Sequence, residues 1–88
     1  MEEGRDKMED NEIMRQINAL TQEEHEILHT GETAGGLDDA QHARLNDIKV
    51  ELDRLWDLLR QRRARRHAGL NPDGAEERPA AVVEHFQQ

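Results

Sequence analysis

The chain contains no cysteine, no tyrosine and no serine, and it has one tryptophan and one phenylalanine. The missing cysteine removes disulfides, thiolate nucleophiles, thiolate zinc sites and iron–sulfur clusters. With serine and tyrosine also absent, covalent catalysis would have to rest on threonine, histidine, a carboxylate or one of two lysines, Lys7 and Lys49. The expectation is a protein that is not an enzyme and carries no cofactor. Apolar runs stay far below the roughly 20 residues of a membrane span. A transmembrane helix and a secretory signal are therefore not expected, the acidic start is unlike an import peptide, and a cytoplasmic location follows by default.

Charge dominates what is present. Of 88 residues, 36% are charged and 34% hydrophobic, with a net charge of −8, a balance that borders on the disordered class. Position decides against disorder. All but four of the Leu, Ile, Val and Phe residues fall between Ile13 and Leu59, so the middle of the chain can bury a face.

Ile13, Ile17, Leu20 and Ile27 recur at three- and four-residue steps and share one stripe of a helix. Asp6 with Glu9 could cap its start, although Gly4 and the acidic run favour fraying before about residue 8. Gly31 is the expected stop, followed by the glycine-rich loop GETAGGL. A second helix should open at Asp38, with Gln41 completing a capping box, and carry Leu45, Ile48, Leu52, Leu55 and Leu59 on one side. It should run through Arg66 and close at Gly69, with Leu70 as the accompanying apolar contact and Asn71-Pro72-Asp73-Gly74 as a turn. Pro79 is placed to start a short third helix bearing Val82, Val83 and Phe86, too brief to hold by itself.

The fold expected is all-α, a coiled-coil-like antiparallel hairpin of two helices. Residues 1–8 form a flexible acidic start, helices cover about 9–30 and 39–68 around a loop at 31–38, and 69–88 form a turn and a weakly ordered end. The stripes fix the register, because the pairs Ile13/Leu55, Ile17/Leu52, Leu20/Ile48 and Ile27/Gln41 all have position sums of 68 or 69.

On the second helix the apolar residues spread over about 160°, from Trp56 on one flank to Leu58 on the other, more than one partner helix covers. Leu52, Trp56, Leu58 and Leu59 are therefore the candidate partner-binding face, with Trp56 as anchor. The implied partner is a second copy, giving a four-helix bundle, or another helical protein. Closure of that face by Val82, Val83 and Phe86 is the competing expectation. Glu24 lies on the axis of the first stripe and should lean out to pair with Arg44.

Two further patterns carry alternatives. Arg60, Arg62, Arg63, Arg65 and Arg66 could bind nucleic acid or another polyanion, but they point all round the helix and no aromatic is interleaved. The charge is −9 over residues 1–40, +4 over 41–70 and −3 over 71–88, and the register sets the arginines beside residues 2–9, so neutralisation within the chain is the simpler expectation. His25-Glu26-Ile27-Leu28-His29 spells the zinc-protease pattern H-E-x-x-H, with Glu32, Asp39 or His42 as a conceivable third ligand. Since Ile27 and Leu28 belong to the seam, both histidines should fall on an open flank without a cleft, and coincidence is the expectation.

The strings NEIMRQINALTQEEHEIL, LDRLWDLLRQRRARRHAGLNPD and the RP…VVEHFQQ ending resemble a family of short actinobacterial proteins carrying a domain of unknown function. The most specific part is LWDLLRQRRARR with the glycine and Asn-Pro-Asp turn that follow. The resemblance implies a small, soluble, helical, intracellular protein and brings no activity, substrate or cofactor.

Overall fold

A computed structural model describes residues 9–80 and 83. Two long helices, α1 (Asp10–Ala34) and α2 (Asp39–His67), make the antiparallel hairpin, and a 3-10 turn at Pro72–Gly74 follows. Among the described residues there is no strand. The capping box at Asp38 forms as expected: Gln41 N–H donates to Asp38 Oδ1 at 2.7 Å and Asp38 N–H to Gln41 Oε1 at 2.9 Å. At the start of α1, Glu9 N–H donates to Glu12 Oε1 at 3.3 Å, so the cap sits at Glu9, whereas Asp6 lies outside the described residues.

The first helix continues past its expected stop. Gly31 lies inside α1 and is buried, because Leu37 from the loop packs over it where a methyl would overlap Leu37 Cδ2. The helix ends a turn later at Gly35 (φ 84°), where Gly36 N–H returns to Gly31 C=O at 2.7 Å in a six-to-one closure. The connecting loop is thus only 35–38. The second helix closes in the same way, with Gly69 at φ 76° and Leu70 N–H donating to Arg65 C=O at 2.7 Å.

The core is lopsided along the hairpin. Ile13 and Ile17 of α1 meet Leu55, Leu58 and Leu59 of α2, with Ala75 closing over them and Met14, Leu20 and Leu52 packed at the edge. Each such Leu or Ile contributes on the order of 1.5–3 kcal/mol when fully buried. Ile48 is also completely buried, one step nearer the loop. Beyond it the seam thins to Leu45 and Ile27, both half-buried.

Residues 75–80 and Val83 are docked where weak order was expected. Residues 75–79 run back along α2, Ala75 is 7% exposed, and Val83 is fully buried. Val83 N–H donates to Pro79 C=O at 3.2 Å, a helical bond at the place where Pro79 was expected to open a helix. What holds this strap is a set of side chains on α2 that supply the partners its extended backbone lacks. Residues 1–8, Val82 and Phe86 lie outside the described residues, and the expectations placed on them lie there too.

Candidate functional site: the two flanks of the second helix

Seen down its axis, α2 has α1 on one side, the strap behind, and an open flank between them. On the strap side Asp57 is 2% exposed although it is an acid. Arg78 reaches back from the strap, Nε to Asp57 Oδ2 at 3.0 Å and Nη2 to Oδ1 at 2.5 Å, and Gln61 Nε2 adds a third bond at 2.9 Å. Burial pushes the Asp57 carboxyl up, but the bonds from Arg78 and Gln61 outweigh it and hold the group below its ordinary value. The same pairing holds the Arg78 guanidinium above its own. Gln61 also clamps the strap backbone at one residue, donating to Glu76 C=O at 2.6 Å and accepting from Glu76 N–H at 3.3 Å. Arg54 completes the set, with Nε on Arg78 C=O at 3.0 Å and Nη2 3.1 Å from Glu77.

The arginine run is mostly engaged. Arg62, 5% exposed, ties the start of α1 to the turn after α2: Nε to Asp10 Oδ1 at 2.5 Å and Nη1 to Asp73 Oδ1 at 3.0 Å. Arg66 pairs with the second oxygen of Asp10, and Arg65 Nε donates to Asn71 C=O at 2.6 Å. The bonds from Arg62 and Arg66 hold the Asp10 carboxyl below the usual carboxylate range. Arg60 lies 4.0 Å from Asp57 with about half its side chain in solvent, and Arg63 is exposed. So acid and arginine do come together, at Asp10, one residue beyond the expected segment 2–9, of which residues 2–8 lie outside the described residues. These arginines do not present a common basic stripe.

On the flank away from the strap, Trp56 is 38% exposed, the one aromatic on either helix. Of the four residues expected to bind a partner, Leu58 and Leu59 do not qualify, being 7% and 1% exposed under α1 and Ala75. The reason is the strap, a third layer that the helical stripes do not announce. Leu52 and Trp56 remain, one turn apart, with Leu52 half-buried at the core's edge and Met14 of α1 at the same level of the hairpin. Asp53, on the same flank, has an oxygen shut from solvent that accepts no hydrogen bond among the described residues, with the Lys49 ammonium 3.6 Å away.

Nearer the loop, Glu23 takes Arg44 in a bidentate pair at 2.6 and 2.7 Å, where Glu24 was the expected partner. The residue on the flank of the stripe reaches across, and Glu24 on its axis stays half-buried. The bonds from Arg44 hold the Glu23 carboxyl below its ordinary value. An open trough of about 470 Å³ lies beside this pair, lined by Ala19, Leu20, Ile48, Asp47 and Glu51 among others. His25 and His29 line a still more open furrow on the outside of α1, and His42 is exposed on α2. Among the described residues no group of three or more His, Asp or Glu could hold a metal ion. Nor is any helix among them long and apolar enough to cross a membrane.

Comparison with known proteins places this architecture. The family model described as "Protein of unknown function (DUF2630)" matches residues 9–88. The chain belongs to this family. Within DUF2630 it is similar to the uncharacterised proteins Rv0898c of Mycobacterium tuberculosis and Mb0922c of Mycobacterium bovis. Each is 40% identical over 86 residues, covering 98% of this chain and 98% of the relative. No solved structure matches the chain. The family match starts at the residue that caps α1 and includes the whole strap.

Proposed function

We propose that this DUF2630 chain is a non-enzymatic interaction module that acts in the cytoplasm and pairs with a second copy of itself through the Trp56 flank of the hairpin. The observation that carries the reading is Trp56, a large rigid aromatic left 38% exposed beside the half-buried Leu52. Such residues anchor interfaces because they desolvate much apolar area at little entropic cost. Two helices alone form one layer and leave the outer edge of their seam to water, which a second hairpin would cover as a four-helix bundle.

Charge favours a second copy over an unrelated helix. Steps of 100° put Lys49, Arg60 and Arg63 within about 40° of Trp56 around α2 and Asp53 about 60° away, so cations outnumber acids around the flank. The first 40 residues of each chain carry −9. A two-fold arrangement therefore lets the acidic half of one copy meet the basic rim of the other, both ways at once.

The test is light scattering over a dilution series of the full chain and of Trp56→Ala. A mass that falls from two chains to one on dilution, and that stays at one chain in the variant with its helicity intact, is the expected result. A single-chain mass at every concentration removes the reading.

A further inference from the structure

The strap and the Trp56 flank lie on different sides of α2, with α1 between them. By 100° steps Leu58 sits about 160° from Trp56, so α2 has two edges at which a neighbouring helix could pack beside α1. One is open at Trp56. The other is closed by residues 75–80 with Val83, whose Ala75 packs in the cluster containing Leu58 and Leu59.

We infer that residues 75–80, with Val83, are an autoinhibitory strap, which keeps the hairpin one-sided by occupying the Leu58 edge against docking of a further copy. The inference rests on the self-association reading for its partner, but it concerns a different surface.

Three observations carry it. The strap adds little apolar area of its own among the described residues, Ala75 and Val83 being its buried hydrophobes. Its bonds to α2 run through side chains, from Gln61 to Glu76, from Arg54 to Arg78 C=O and from Arg78 to Asp57. Peeling it away would therefore leave the hydrogen-bond ladders of both helices intact, so the strap can open as a unit separate from the hairpin. Finally, part of what it covers is apolar: beside the polar strip of Arg54, Asp57 and Gln61, its Ala75 packs in the cluster that contains Leu58.

A hairpin open at both edges could add copies on either side without closing, the arrangement that leads to open-ended stacks. A hairpin open at one edge stops at two. The strap supplies that asymmetry, and Asp57 is the latch that fixes it.

The experiment compares the full chain with Arg78→Ala and Arg78→Lys by sedimentation velocity over a concentration series, together with amide exchange at Glu76 and Val83. Arg78→Ala is expected to exchange both amides at least tenfold faster, keep the protection of α1 and α2, and raise the mass beyond two chains. Arg78→Lys, which keeps the charge but loses the two-point bond, should fall between. Strap amides that exchange as in the parent chain, loss of protection in the helices together with the strap, or an unchanged mass profile would each overturn the inference. Adding Trp56→Ala to Arg78→Ala separates the two surfaces. If only the Trp56 reading is wrong, the double variant still associates through the Leu58 edge; if only the strap inference is wrong, Trp56→Ala alone still abolishes pairing.

Discussion

The two ends of the hairpin are built from the same residue types and behave differently. At the end remote from the loop, three segments meet, and charged groups are buried: Asp57 and Arg62 are 2% and 5% exposed, each with more than one partner. At the loop end only two helices meet, and the comparable pair Glu23–Arg44 stays in solvent, with about 40% or more of each side chain exposed. A third layer is what separates the two. It excludes water, and once water is excluded a charge must be matched on every side or neutralised. Asp57 and Arg62 are thus parts of the fold, whereas Glu23 and Arg44 are surface.

The largest effect should separate the two cores. Leu55→Ala, at a fully buried position, is expected to destabilise by about 3 kcal/mol, whereas Leu28→Ala on the exposed side of α1 should change stability by less than about 0.5 kcal/mol. Urea titration followed by circular dichroism measures both. Equal losses would mean that the core is not confined to the remote end.

Next in size is the contrast between ion pairs. Arg62→Ala removes a buried guanidinium that bonds both Asp10 and Asp73 and should cost about 2 kcal/mol, while Arg44→Ala should leave the urea midpoint where it is. A third contrast comes from acid. Asp57 and Asp10 both titrate below their ordinary values in the folded chain, so the stability they add is present above the unfolded value of about 3.9 and is lost as pH falls through the lower folded values. Amide exchange below about pH 4 should therefore rise first at Glu76 and in the first turn of α1. In Asp57→Asn the strap should already be loose at neutral pH and respond less to acid. The smallest effect is expected at Gly31→Ala, where the helix gain of about 1 kcal/mol offsets the displaced Leu37; a loss well beyond that would show that the Leu37 seat matters more than its position suggests.

Much of this could be read from residue order, and the divide follows the range of the interactions. The capping box at Asp38 and Gln41, the closure at Gly69 and the meeting of Ile13 and Ile17 with Leu55 and Leu52 depend on local spacing or on two stripes in register. The continuation of α1 through Gly31 was hidden because glycine ends most helices it interrupts, and only Leu37, six residues on, explains why it does not here. Asp57 was hidden for a similar reason. Its partner Arg78 is 21 residues away in a segment with no helical periodicity, so nothing near Asp57 marks it as a buried acid. The one clue was indirect, an apolar spread on α2 wider than one neighbour needs. That width was read as a single partner-binding face, and the structure divides it into Leu58 and Leu59 under cover and Trp56 in the open.

Because Trp56 is the single tryptophan, its fluorescence reports one position on the molecule. Emission recorded across a concentration series, beside the mass, tests pairing through that flank most directly. The account predicts a blue shift as the protein is concentrated, with the same midpoint as the rise from one chain to two. An emission maximum that does not move while the mass doubles, or a mass that never doubles, would contradict it.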